Sequence, residues 1–504
     1  MRRMTLALAV AVFVSLPALA DWTPDIEAWN SAPPPQPEVV IVRGATVWTA
    51  TDEGILENAD LLIRDGRIAA IGEAIRAPAN ALEIDAAGMH VTPGIIDAHS
   101  HAAIIGGVNE SSNISTADVR IRDVIDAESI NIYRQLAGGV TTINLLHGSA
   151  NAIGGQMAVI KMRWGASPEA LVFEAARPGI KFALGENPKQ SNWRNDTPRY
   201  PQTRQGVEQV IREMFQQAAD YRAAHENHPR GRAGRDRVPP RPNHRLAAVA
   251  EVIHGERDVH SHAYRADEML ALMRMAEQFD FTIRTFQHVL EGYKIGPQLA
   301  AHGAGASVFI DWWAFKQEAI DAIAFNPALM HEAGVLTGLH SDNPELARRM
   351  NLEAAKAVRY GGVDPHTALK MITAFPADQL GVGDRTGRLA RGLDADFVIW
   401  NGHPLSVYSR VEQTWVDGRR YFDRAADQRM RQALAAEHAE LLALASAEAS
   451  DEPDDNAANA APDDESEAEP APGQRRRVMS FATHLTGYRA SELDHDQYCI
   501  LHDH

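Results

Sequence analysis

Pro93-Gly94-Ile95-Ile96-Asp97-Ala98-His99-Ser100-His101 is an apolar run that ends in His-x-His. Side chains alternate along a strand with a period of two, so His99 and His101 aim the same way. At the C-terminal mouth of a barrel strand, such a pair is half of a metal site. The stretch therefore predicts a first barrel strand that delivers two imidazoles to a metal centre.

The chain beyond it repeats strand and helix. Short apolar segments at 94–98, 141–146, 180–184, 258–262, 281–287, 306–310 and 334–339 are separated by helix-like segments such as 266–278 and 347–358. That alternation implies parallel strands with right-handed crossovers, and residues 92–384 suit an α/β fold of the closed (β/α)8, TIM-like kind. Seven strands are located in this way. The eighth is not, because 191–245 is an Arg- and Pro-rich insertion around one expected helix, 206–224. On both flanks the texture changes to short strands: 38–91 carries the turn Asp65-Gly66, and 385–424 carries Asp417-Gly418. Two such pieces predict one small β-sandwich built from both flanks of the barrel.

Of the 504 residues, 49 are Lys or Arg and 67 are Asp or Glu, for a net charge of −18. That balance argues against nucleic acid as a partner. Nine of the acidic residues fall within 451–469, so the charge says little about the barrel itself. Cys499 is the single cysteine, which excludes an intrachain disulfide framework and a Cys-rich zinc site. A metal must then sit on His and carboxylates. Residues 1–20 read as an export signal: Arg2 and Arg3, an apolar run over 6–18, and Ala18-Leu19-Ala20 before Asp21. No later stretch approaches the ~18 uncharged apolar residues of a spanning helix. The expectation is a periplasmic or secreted protein with no stable membrane insertion after cleavage. Residues 425–504 are expected to form a helix over 428–449 and then an acidic disordered tail.

These motifs resemble the amidohydrolase superfamily, especially its imidazolonepropionase-like and prolidase-like branch, over about residues 39–422. The resemblance implies one or two divalent ions, zinc by default, and hydrolysis of carbon–nitrogen bonds by a metal-activated water. His262, closing Val259-His260-Ser261-His262, matches the family's fifth-strand histidine. His288, closing Thr285-Phe286-Gln287-His288, matches the sixth-strand histidine, and Asp342 in Leu339-His340-Ser341-Asp342 matches the eighth-strand aspartate. His260 and His340 read as packed neighbours. Relatives bridge two ions with a carboxylated lysine or a glutamate, and 180–186 offers both Lys181 and Glu186. The two fall on opposite faces of a regular strand, so only one points inward. Glu186, at the strand's end beside a glycine, is preferred. The expected metal ligands are thus His99, His101, Glu186, His262, His288 and Asp342. Asp342 would take a proton from water and pass it to the leaving nitrogen, with His288 polarising the substrate carbonyl.

Substrate contacts are fewer. Arg265, just past a ligand, carries a planar fork suited to a carboxylate, and Lys294, one of only seven lysines, holds a comparable loop position. The glycine-rich loop 147–156 follows the second strand and lets His147 and Asn151 approach a ligand. The expected substrate is a small amide, cyclic amide or dipeptide, and homo-oligomerisation is compatible with the sequence. Two rival readings use the same residues: a deaminase of the same superfamily, and a periplasmic binding protein that keeps the barrel without turnover.

Overall fold

The structure is a computed structural model that describes residues 33–189, 199–229 and 237–451. The expected signal at 1–20 and the chain beyond 451 lie outside the described residues. In chain order the strands are β1 (Val39–Trp48), β2 (Ile55–Arg64), β3 (Arg67–Gly72), β4 (Leu82–Asp85), β5 (His90–Pro93), β6 (Ile95–Ser100), β7 (Val140–Leu145), β8 (Ile153–Gln156) and β9 (Ala158–Lys161). They continue with β10 (Gly179–Ala183), β11 (Asp258–Ala263), β12 (Thr285–His288), β13 (Gly305–Val308), β14 (Thr337–Leu339), β15 (Phe397–Trp400), β16 (Val411–Val416) and β17 (Arg419–Asp423).

The two flanks meet in one sheet, in the order β17-β16-β15-β5-β1-β2-β3, with β4 also paired to β1. Its ladders join all eight strands into a single sheet, where a sandwich needs two. Val40, Val42, Leu61, Ile63, Phe397 and Trp415 fill its core. The two expected hairpins form. Asp65 and Gly66 have φ of 49° and 75°, and Asp417 and Gly418 have 52° and 72°, the left-handed pairs of type I′ turns. The turns also rest on each other. A Cβ at Gly66 would lie 2.6 Å from the Asp417 carbonyl oxygen, and one at Gly418 would lie 2.7 Å from the Gly66 Cα. Both positions therefore exclude a side chain by close approach as well as by φ.

The middle of the chain forms two further sheets. One has six strands in the order β14-β13-β12-β11-β10-β8, and the other has three, β6-β7-β9. The ladders from β10 through β14 are parallel, as is β6 with β7. Every residue of β7, β10, β12, β13 and β14 is buried, as expected for parallel strands covered on both faces. The end of the glycine-rich loop expected over 147–156 forms a strand over 153–156, and a second strand follows at 158–161. The first of these, β8, runs antiparallel to β10, and the second, β9, antiparallel to β7. One continuous segment thus bridges the two sheets, and it lies between β7 and β10 rather than in the 191–245 insertion, where sequence reading finds no eighth strand. The insertion contributes the helices Arg204–Glu226 and His244–Ile253. The strand expected from 281 begins only at Thr285, because the Phe281 N–H closes the preceding helix on the Ala276 carbonyl. Among the described residues no helix is long and apolar enough to cross a membrane.

Candidate metal centre

Five side chains singled out from the sequence come from strand ends: His99 in β6, His101 just beyond it, His262 in β11, His288 closing β12, and Asp342 after β14. The chain turns sharply at two of these ends. His288, Val289 and Asp342 have φ of 72°, 51° and 49°, a left-handed region that costs non-glycine residues about 1–3 kcal/mol each. Asp97 ties β6 to the β14 end, accepting from the Ser341 N–H at 3.0 Å, from the Ser341 hydroxyl and from the His99 N–H at 3.2 Å. Burial pushes its carboxyl up to about 6 against those hydrogen bonds.

The resulting cluster is tight. His99 Nε2 lies 3.3 Å from His101 Nε2 and 3.3 Å from Asp342 Oδ1, and His101 Nε2 lies 3.2 Å from that oxygen. The other ring nitrogens face acceptors: His101 Nδ1 donates to the Leu146 carbonyl at 2.9 Å, and His99 Nδ1 to Gln287 Oε1 at 3.1 Å. Each Nδ1 therefore carries the proton, and each Nε2 presents a lone pair to the other and to a carboxylate oxygen. Three acceptors meeting in this way repel one another unless a cation lies among them. His288 Nδ1 is 4.0 Å from Asp342 Oδ2, and the His262 and His288 rings are 4.7 Å apart. Both nitrogens of His262 and Nδ1 of His288 find no hydrogen-bond partner among the described residues. Such buried orphans cost about 1–3 kcal/mol each. Burial, with the neighbouring charge of Lys181, holds His99, His262 and His288 well below the usual imidazole range, so they are neutral and ready to bind a metal. The donor set fits a divalent ion on its own terms: imidazole nitrogens with one carboxylate, the combination typical of zinc.

The structure corrects several sequence expectations. Glu186 does not join the cluster. Gly185, at φ 78°, turns the chain away after β10, and the Glu186 carboxylate lies 3.5 Å from the Lys316 ammonium. Lys181 is the inward residue of that strand, fully buried, with its ammonium 3.2 Å from the His147 carbonyl and its charge felt at His99, His262, His288 and His340. His147 is spent on the backbone: Nε2 accepts from the Glu110 N–H at 2.9 Å, and Nδ1 donates to the Gly148 carbonyl at 2.8 Å. Asn151 braces a loop, its amide donating to the carbonyls of Glu110 and Asn113 at 2.7 Å each. The Arg265 fork closes on Asp267, at 3.0 and 3.1 Å, two residues along its own loop. Lys294 is paired with Asp321 and with Glu291, the latter at 3.2 Å.

Two residues were passed over. His340, read as a packed neighbour, lies with its ring centroid 5.0 Å from those of both His99 and His288. Lys316 is the buried cation beside the site. It sits 4.5 Å over the Tyr264 ring, itself 4.5 Å from the His262 ring, and donates to Asn187 Oδ1 at 2.7 Å. Phe309 stacks on Trp312 at 4.0 Å and on His288 at 4.9 Å, forming an aromatic wall that continues through Phe315. Only the approach of strands distant in sequence reveals these neighbours.

Residues 90–421 match the Amidohydrolase family. The chain is 30% identical over 426 residues to amidohydrolase tasK of Hapsidospora irregularis, covering 76% of this chain and 43% of that protein. It thus spans less than half the length of that curated relative. A shorter match, 32% identical over 112 residues, covers 19% of this chain and 28% of the imidazolonepropionase of Mycolicibacterium smegmatis. Among solved structures, an amidohydrolase from Thermotoga maritima MSB8 superposes with a TM-score of 0.69 at 32% identity, covering 76% of this chain and 100% of that one.

Proposed function

Because this chain belongs to the amidohydrolase family, we propose that it is a metal-dependent hydrolase that cleaves the carbon–nitrogen bond of a small amide, cyclic amide or dipeptide. The observation that carries this reading is the meeting of His99 Nε2, His101 Nε2 and Asp342 Oδ1 within 3.3 Å of one another, with both Nδ1 protons turned away. The β6-β7-β9 and β8-to-β14 sheets are read as staves of one closed (β/α)8 barrel over 92–384. They are linked through 153–161 on one side and by the Asp342 N–H to His99 carbonyl hydrogen bond, 3.1 Å, on the other. The flanks 38–91 and 385–424 form the accessory β-domain.

His99, His101, His262, His288 and Asp342 are the residues that would hold the metal, with Lys181 in place of Glu186 as the strand-β10 group facing them. A divalent ion held there supplies the Lewis acidity that readies water for attack near neutral pH. Asp342, its Oδ1 engaged with the two histidines, keeps Oδ2 toward His288 for proton uptake and for delivery to the leaving nitrogen. Neutral His288 orients the reacting carbonyl. Tyr264, Phe309 and Trp312 exclude water from that side, which strengthens each polar contact inside.

A panel of dipeptides, N-acyl amino acids and cyclic ureides, offered to zinc-loaded and chelator-treated protein, tests the proposal. Chelator-sensitive turnover that Asp342→Asn lowers by about 10³-fold or more is expected, the scale of losing a catalytic proton carrier together with a ligand. Turnover indifferent to chelation and to that substitution would sink it.

A further inference from the structure

We propose that His340 is a ligand of the metal centre, a fifth imidazole beyond the set that the family resemblance carries over. The inference rests on reading this cluster as a metal centre. A neutral imidazole always has one N–H to donate and one lone pair to offer, and a histidine buried for packing alone ties at least one of them to a polar neighbour. The buried histidines nearby that lie outside the ligand set do so: His147 uses both nitrogens on backbone groups, and His260 Nδ1 lies 3.4 Å from the Gln287 amide. His340 is 1% exposed, and neither ring nitrogen has a hydrogen-bond partner among the described residues.

Its place fits that of a ligand. One ring nitrogen each from His99, His288 and His340 lie within 4.8 Å of one another. His340 directly follows β14, two residues before Asp342, and its ring centroid lies 5.0 Å from those of His99 and His288. Glu186 pairs with Lys316 instead, which leaves Asp342 as the carboxylate of the set. With His340 included, imidazoles outnumber carboxylates, and such a set selects zinc, cobalt or nickel over magnesium, calcium or manganese.

The test uses the full chain. A crystal structure of the zinc-loaded parent should show a His340 ring nitrogen at about 2.0–2.1 Å from an ion. An ion bound by His99, His101 and Asp342 with His340 beyond hydrogen-bonding distance would overturn the proposal while leaving the metal-centre reading intact. A parent that takes up no zinc at any loading would overturn both. In solution, His340→Gln should hold zinc at least about tenfold more weakly in competition with a chromophoric chelator. It should also shift the visible absorption of the cobalt-loaded protein. Identical affinity and spectrum in the folded variant would place His340 among packing residues.

Discussion

His99 Nε2 and His101 Nε2 face each other at 3.3 Å with their protons on the far side of each ring. Two lone pairs that close, sharing Asp342 Oδ1, repel one another unless a cation lies among them. Metal removal is therefore expected to destabilise the protein as well as silence it. At a zinc concentration about 100 times the dissociation constant, linkage adds about 2.7 kcal/mol. Calorimetry before and after dialysis against a chelator reads this directly, and a melting temperature unmoved by zinc would contradict it.

Lys181 and Glu186 make opposite predictions. Lys181 lies buried among the imidazoles, whereas the Glu186 carboxylate lies against Lys316. Lys181→Met is expected to reduce bound metal by at least one equivalent in elemental analysis, while Glu186→Gln keeps the parent's content. The reverse result would restore the glutamate as the bridging group.

These two residues also show where sequence reading stops. His-x-His at a strand end was legible because the two-residue period is a local property, and the histidines of β11 and β12 and the aspartate after β14 were legible through the resemblance to the amidohydrolase superfamily. So were the Asp-Gly turns, whose φ values depend on two residues alone. The choice between Lys181 and Glu186 was not, since it depends on a left-handed Gly185 and on a lysine 130 positions away, Lys316 minus Glu186. Arg265 and Lys294 misled for a related reason. A cation near a ligand reads as a substrate contact until the structure shows that its own loop supplies a counter-charge, Asp267 for one and Glu291 for the other. The bridging segment 153–161 escaped notice because its glycines hid a strand that pairs with different partners in its two halves.

Lys161, in β9, joins the β6-β7-β9 sheet to the flanking sheet. Its ammonium, fully buried, is 2.8 Å from Asp394 and 3.0 Å from Asp396, and it also bonds Asp417. Burial opposes its charge, yet the three carboxylates hold its pKa above the ordinary lysine value. Removing the cation would strand buried carboxylates at the seat of both hairpin turns. Lys161→Met is expected to cost about 3–5 kcal/mol in urea unfolding, the scale for breaking a buried ion pair. A loss under 1 kcal/mol would show that Arg163 and Arg385 suffice to neutralise the cluster.

Glu268 gives a pH dependence away from the metal. It shares Arg204 with Glu318, at 2.7 and 3.0 Å, and both carboxylates are nearly inaccessible. Burial first, then the charge of Glu318, raises the Glu268 carboxyl from 4.5 to about 7 despite Arg204. A folded-state pKa above the unfolded value means that protons favour the folded form. The stabilisation is complete below pH 4.5 and is lost as pH rises through 7. Between pH 5 and 8 the parent should lose on the order of 2–3 kcal/mol from this group. Glu268→Gln, which cannot ionise, should lack that component of the slope, so the two proteins' urea midpoints diverge with rising pH in the variant's favour. Parallel midpoint curves for parent and variant across that range would rule out Glu268 as the titrating group.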